Sequence, residues 1–283
     1  MNTYEALRAR AAWLDLTGRG LIRVSGEDGA RLLHSMSTNN VKAMQPGDQL
    51  YTFFLNAQGR ILADAWVLRR DDHHLLDTEP SLRQTLYEHL DKFIIADDVT
   101  LEDVSAQYRV VSIETPGGTD FSAVGFENAH RHYLSDGAIP ETALPQASAD
   151  DAEIVRLENG QARYGTDLTE RYLVQETQQM QAVSFTKGCY LGQEIVERVR
   201  ARGAVHKHLV SLEVEGQTVP ASGTEFLAGT AKAGWVTSAA YSPARGCVVA
   251  MGYVNVAFES GIQPLELSGD AGGRVHVKRA HAG

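Results

Sequence analysis

The sequence predicts an α+β fold that ends in a small all-β barrel or sandwich. Three observations predict it. Up to Arg202, hairpin-like strand pairs mix with separate amphipathic helices instead of a strand–helix–strand repeat. From Gly203 onward the chain runs in short strands punctuated by Gly and Pro. Between the two regions lies the charged run Glu197-Arg198-Val199-Arg200-Ala201-Arg202, which reads as a boundary. The expected domains are therefore 1–202 and 203–283. A weak connection near 114–150 divides the first into two mixed subdomains.

The elements follow in order. Trp13–Leu16 and Gly20–Val24 read as short strands. Ser25 is positioned to cap a helix, with Asp28 three residues on, and Ala30, Leu33 and Met36 form its apolar side. Gln49–Leu55 and Ile61–Leu68 form a hairpin across the turn Asn56-Ala57-Gln58-Gly59. Asp71-Asp72 turns the chain into an extended His73–Leu76. Pro80 opens a helix that runs to Leu90, with Leu82, Leu86 and Leu90 on one face. Phe93–Ala96 and Tyr108–Ile113 read as further strands, and Pro116-Gly117-Gly118 as a turn. Asp151–Leu157 is a helix that ends near Gly160. Beyond Gly203, strands are expected at His208–Glu213, Trp235–Thr237, Cys247–Tyr253 and Arg274–Lys278.

Composition excludes several classes. Of 283 residues, 43% are hydrophobic, with only 8 Pro, so the chain is not of a disordered type. No apolar run is long enough for a membrane span, and the N-terminus does not read as a secretory signal; a cytoplasmic protein is expected. The net charge of -10 disfavours direct nucleic-acid binding and anionic membranes. No GxGxxG, P-loop or HExxH occurs. Two cysteines without a CxxC give no thiolate metal set, and His206 and His208 read as surface histidines, so no metal site is expected. No helical interface repeat is visible, and a monomer is expected.

The chemistry concentrates in three segments. In Lys187-Gly188-Cys189-Tyr190-Leu191-Gly192-Gln193-Glu194, two glycines let backbone approach another surface. A cysteine between them, near the start of a helix from Gln193 and beside Lys187, has its thiolate favoured. A small buried hydrophobe in a tight turn is the competing reading of Cys189. Cys247, inside Cys247-Val248-Val249-Ala250-Met251, reads as core. In Arg156–Gly160 and Arg163–Leu168, Glu158 is a carboxylate able to accept two parallel hydrogen bonds from an amino-heterocycle, or to bond a nearby arginine. Asn39-Asn40-Val41 and Tyr51–Asp64 form the third segment, where Asp64 is a candidate pocket acid or a solvent-face residue.

LLHSMSTNNV, YTFFLNAQGRILAD, RLENG with RYGTDL, and KGCYLGQE occur in this order. Together they resemble the YgfZ family of folate-binding proteins, which is related to the glycine-cleavage T-protein, an aminomethyltransferase that uses tetrahydrofolate. The resemblance implies a cloverleaf of partly ferredoxin-like α/β portions with a C-terminal β-barrel and a tetrahydrofolate pocket. It implies that Glu158 holds the pterin and that Asn39 and Asn40 lie near it. Lys187, Tyr190 and Arg163 are implied as further folate contacts, and Cys189 is implied to face the same cavity. The T-protein pattern carries an acidic pair in its hairpin, and here one position of that pair is Ala63, beside Asp64. The resemblance therefore implies an accessory role in assembly or repair of Fe–S clusters in selected enzymes, radical tRNA-modifying enzymes among them, with an indirect effect on tRNA methylthiolation. Catalysis centred on Cys189, or folate-dependent one-carbon transfer using Asp64, stays open at this level.

Overall fold

The computed structural model describes residues 2–114, 131–135, 144–203, 205–260, 263–269 and 272–278. Two compact units divide the chain. The first takes Met1–Ala152 and Gln181–Gln193, and the second Glu153–Met180 and Glu194–Gly283. The division places residues 153–180 and 194–202 with the barrel, whereas the sequence drew one line at 202.

The first unit opens on α1 (Thr3–Ala9), β1 (Ala12–Asp15), β2 (Gly20–Ser25) and α2 (Gly29–Met36). It continues through β3 (Gln49–Leu55), β4 (Ile61–Arg69), β5 (His73–Thr78), α3 (Arg83–Asp91), β6 (Thr100–Asp103), β7 (Arg109–Glu114) and β8 (Arg131–Leu134). An antiparallel five-stranded sheet runs β3-β4-β5-β2-β6, and a three-stranded sheet runs β1-β7-β8. The large sheet alternates its faces along each strand. On one face Ile22, Val24, Phe54, Ala63, Ala65, Val67 and Leu76 pack against Leu32, Leu33 and Met36 of α2 and Leu86 and Leu90 of α3. On the other, Leu21, Leu68 and Leu75 pack with Val104, Val110 and Tyr133, so the small sheet shares that core. Each layer thus buries the apolar side that its neighbour needs.

Local differences from the sequence reading have local causes. Helix α1 was not expected, although Asn2 and Glu5 form a capping box: Asn2 Oδ1 accepts from the Glu5 N–H at 2.8 Å. Ser25 ends β2 and does not cap α2; Asp28 stands at that position, and its carboxylate accepts from the Asp98 N–H instead. The buried side of α2 uses Gly29 and Leu32 with Leu33 and Met36, while Ala30 lies half out. Phe93–Ala96 is no strand. It forms turns after α3, with Ile95 91% exposed, and the edge strand is β6 instead. The turn at Pro116–Gly118 lies outside the described residues.

Helix α4 (Ala149–Glu158) leads into the second unit, which holds α5 (Val174–Thr177) and α6 (Gln193–Arg202). Its strands β9 (Lys207–Val214), β10 (Glu225–Ala228), β11 (Ala231–Ser242), β12 (Cys247–Asn255), β13 (Leu265–Leu267) and β14 (Arg274–Lys278) close into a barrel ordered β10-β11-β12-β9-β14-β13. Closure leaves no open sheet edge. Val210, Leu212, Phe226, Val236, Val248, Ala250, Val254, Leu265 and Val275 fill the interior. Cys247, expected in the core, sits at the first position of β12 and is only half-buried.

Candidate functional site

In the first unit, the loop after α2 and the loop bearing Cys189 are stitched together by buried polar groups. Thr38, fully buried, donates from its hydroxyl to the Ala182 carbonyl at 2.6 Å. Its own carbonyl accepts from the Ser184 N–H at 3.0 Å. Asn39 Nδ2 donates to the carbonyls of Tyr51 at 3.0 Å and Gln181 at 2.9 Å, while its Oδ1 accepts from the Asn40 N–H at 2.9 Å. Asn39 thus ties β3, its own loop and the Cys189 segment to one side chain. Asn40, half-buried beside it, has no side-chain hydrogen bond among the described residues.

Lys187 completes the stitching. Its Nζ donates to the backbone carbonyls of His34, Ser37 at 2.6 Å and Asn39 at 2.8 Å. An ammonium has three N–H groups, so this set uses all of them. The three acceptors include orphan carbonyls at the C-terminal end of α2, where the helix dipole favours a cation. The Nζ also stands 5.1 Å from the Tyr190 ring centroid, within cation–π range. Burial, and then the charge of Lys42, draws the Lys187 ammonium down to about 7. The same surroundings lower His34 to about 4, burial first and Lys187 next.

The clamp leaves Cys189 exposed as a free thiol, while Tyr190 turns inward and is buried. Downstream, the Leu191 N–H donates to the Ser35 carbonyl at 3.0 Å. The two glycines differ in kind. Gly192 has φ +84°, and a Cβ there would meet the Asn56 carbonyl oxygen at 2.7 Å, so the β3–β4 turn requires a glycine. Gly188 has an ordinary φ, and a Cβ there would meet nothing within 4 Å. The first unit's own packing does not require that glycine, and Gly188 and Cys189 form a bare, exposed step in the loop.

Asp64 occupies the face of β4 opposite the helices. It is 9% exposed and accepts from the Tyr51 hydroxyl at 2.7 Å. Tyr51 pairs across the strands with Trp66, their rings 5.4 Å apart, and Phe53 pairs with Asp64 itself. Ala63, the neighbouring residue, points the other way into the helix-facing core and is fully buried. Adjacent strand residues face opposite sides. Only position 64 of the pair therefore addresses the aromatic face.

The remaining sequence candidates lie in the second unit. Glu158 ends α4, with its Oε1 accepting from the Ser242 hydroxyl at 2.6 Å and its carbonyl accepting from Arg245 Nη2 at 2.6 Å. The arginine at this helix end offsets the unfavourable placement of an acid near orphan carbonyls. The Ser242 hydroxyl thereby helps orient the Glu158 carboxylate, a group with about four acceptor sites. Arg163 Nη2 reaches Glu153 at 2.6 Å. Sequence reading did not single out the group that holds this segment. Asp167, fully buried, accepts from Arg156 Nη1 at 2.7 Å, the Thr237 hydroxyl at 2.5 Å, the Ser238 hydroxyl at 2.6 Å and the Arg163 N–H at 3.0 Å. Arg156 in turn donates to Glu153 and Ser238. Every charge in this cluster is hydrogen-bonded, which is the condition under which buried ions persist. The signal lay in RYGTDL, where an acid follows a tight Gly turn, but its hydroxyl partners Thr237 and Ser238 sit on β11, far away in sequence. Among the described residues there is no cluster of His, Cys, Asp and Glu able to hold a metal ion, and His208 instead pairs with Glu259 at 2.8 Å. No helix among them is long and apolar enough to cross a membrane.

These features define a protein with the T-protein fold. Residues 2–123 match the GCVT N-terminal domain, and residues 207–281 match the glycine cleavage T-protein C-terminal barrel domain. The aminomethyltransferase T of the glycine cleavage system from Bartonella henselae superposes with a TM-score of 0.81 over 97% of this chain and 87% of that one, at 18% identity. Two kinds of relative stand out in sequence. One is the mitochondrial iron-sulfur cluster assembly factor IBA57 homolog of Mycosarcoma maydis, 31% identical over 72% of this chain. The chain spans 58% of that relative's length. The other is the aminomethyltransferase of Rubrobacter xylanophilus, 25% identical over 93% of this chain and 81% of its own.

Proposed function

We propose that this protein binds a reduced folate, as tetrahydrofolate or a close relative, and supports Fe–S cluster assembly or repair in selected enzymes, in the manner of the YgfZ family. Methylthiolation of tRNA by radical enzymes is then affected indirectly. The observation that carries this reading is the Cys189 loop. A buried lysine and a required glycine fix its two ends, and the thiol and Gly188 between them stay bare. Such a loop holds a soft nucleophilic atom ready for something that arrives from outside. Relatives named as iron-sulfur cluster assembly factors, and both T-protein domain matches, support the same reading.

Glu158 would hold the pterin edge, with the Ser242 hydroxyl on its carboxylate and Arg245 on its backbone carbonyl. Asn40 offers an amide nearby in sequence to the Lys187 clamp, while Asn39, Lys187 and Tyr190 build the wall that presents Cys189. Arg163 is held by Glu153 at the start of the turn ahead of Asp167. Bound folate would supply its capacity to carry a one-carbon unit. Cys189 offers its thiol to the folate, to a client protein, or to iron or sulfur in transit. The test is anaerobic isothermal titration with tetrahydrofolate, together with Fe–S enzyme activities in a deletion strain. Micromolar binding weakened in Glu158→Gln, and Fe–S activities that return with wild type but not with Cys189→Ala, are expected. No heat of binding rejects the ligand, and unchanged Fe–S activities in the deletion strain reject the role.

A second reading, folate-dependent aminomethyl transfer, is favoured by one observation. Asp64 keeps an acid on the aromatic face of β4, bonded to Tyr51, although the position beside it is Ala63. Turnover of tetrahydrofolate with an aminomethyl donor, abolished by Asp64→Asn, would establish it; no turnover by wild type would dismiss it.

A further inference from the structure

We propose that the turn after α3, Lys92–Asp98, is a preformed docking knob for a protein that carries an apolar pocket rimmed by lysine or arginine. Ile95 is 91% exposed and Phe93, two residues before it, is 37% exposed. An isolated exposed apolar side chain needs no explanation. This one differs because its backbone is held rigidly. The Asp98 carbonyl accepts from the Asp28 N–H at 3.1 Å, and the Asp98 N–H donates to the Asp28 carboxylate at 3.0 Å. The Asp98 carboxylate accepts from the Glu27 N–H at 3.1 Å, and Arg31 bonds Asp97 at 2.5 Å. A Cβ on Gly26 would lie 2.1 Å from the Asp98 carbonyl oxygen, so the β2–α2 turn is shaped around this segment. At the other end Ile94 packs on the helix-facing core, and the Phe93 ring meets His89 edge-on at 5.7 Å. Ile95 is therefore held out into water by a structure that has already lost its conformational freedom, which lowers the entropic cost of docking it.

The rim decides the occupant. Glu27, Asp28, Asp97 and Asp98 meet at the turn, and Glu88 and Asp91 precede it on α3; Arg31, paired with Asp28 and Asp97, and Lys92 are the two bases set against these six acids. A second copy docking here face to face would set like charges together. Nucleic acid and anionic lipid are repelled for the same reason. A basic-rimmed protein pocket satisfies both the isoleucine and the acids. The knob uses none of the residues assigned to folate or to the thiol, and its failure leaves that reading untouched.

The test places a photocrosslinking phenylalanine derivative at Ile95 of the full chain in cells. The crosslinked protein is identified, its crosslinked position is mapped, and its affinity for the purified chain is measured against salt. The proposal expects an apolar pocket bordered by Lys or Arg, affinity that falls with ionic strength, at least tenfold weaker binding by Ile95→Asp, and clear weakening by Asp91→Lys. Unchanged melting of both variants shows that the fold is intact. No crosslink, a crosslink to a second copy, a non-basic crosslinked surface, or binding unaltered in Ile95→Asp each overturns it.

Discussion

Lys187 Nζ sits 2.8 Å from the carbonyl oxygen of Asn39, across a gap of 148 residues in sequence. That bond, with those to His34 and Ser37, anchors the Cys189 loop to the end of α2. Lys187→Met keeps the length of the side chain and removes every donor, leaving buried carbonyls unsatisfied. Each such group costs about 1–3 kcal/mol. A loss of about 3–5 kcal/mol in urea unfolding is expected, with faster hydrogen exchange at Leu191 and Ser184. A loss under about 1 kcal/mol would mean that the clamp is not formed in solution.

The two glycines of the same loop should separate fold from function. Gly192→Ala forces a Cβ into the Asn56 carbonyl at a left-handed φ and should cost about 2 kcal/mol or more. Gly188→Ala meets open space, so its stability should stay within about 0.5 kcal/mol of wild type. Its effect should appear instead in tetrahydrofolate affinity or Fe–S activity. If Gly188→Ala unfolds the protein and Gly192→Ala does not, the roles are reversed and the loop geometry is wrong.

Thiol accessibility gives a third check. Cys189 is exposed, whereas Cys247 is half-buried and has its thiol raised by burial first and by Glu213 next. Iodoacetamide at neutral pH should label Cys189 first under native conditions, and Cys189→Ala should remove the fast phase and leave stability nearly unchanged. Equal labelling of both cysteines would contradict the exposed loop.

Stability should fall on acidification through a histidine of the first unit. His74 is 2% exposed on β5, and burial, with Arg69 and His73 behind it, lowers it from 6.5 to about 4. The folded state then binds fewer protons than the unfolded chain between those values. Stability from this group is complete above pH 6.5 and is lost as pH falls toward 4, by at most about 3 kcal/mol. His74→Leu should flatten part of the decline in urea midpoint between pH 7 and pH 5. An identical decline in variant and wild type would show that His74 is not the group responsible.

Much of this fold was legible because its hairpins are local. Gln49–Leu55 and Ile61–Leu68 are strand-like apolar runs on either side of the turn Asn56–Gly59, and the structure pairs them as β3 and β4. The run Phe93–Ala96 misled because four apolar residues in a row resemble a strand, while the structure spends only Ile94 on the core. The candidate residues were legible one at a time as chemistry. Their bonds were not, because Lys187 meets His34, Ser37 and Asn39, and Asp167 meets Thr237 and Ser238, at separations that no local pattern encodes. The difference between Gly188 and Gly192 was likewise invisible until a Cβ could be placed at each.

The neighbouring positions Ala63 and Asp64 set the last prediction. Ala63 is opposite Phe54 and fully buried among Ile22, Leu33 and Leu76, so an acid there has no polar partner in reach of the apolar face. Ala63→Asp restores the acidic pair of the one-carbon transferases in sequence, yet it should destabilise the protein by about 3 kcal/mol or more, because burying an unpaired carboxylate costs at least that much. It should create no aminomethyl transfer, since the new side chain points away from Tyr51 and Asp64. Asp64→Asn keeps the shape and the Tyr51 hydrogen bond and should cost under about 1.5 kcal/mol. If Ala63→Asp folds normally and gains transferase turnover, the face assignment on β4 is wrong. If Asp64→Asn alone removes folate-dependent activity present in wild type, Asp64 is the acid that handles the proton.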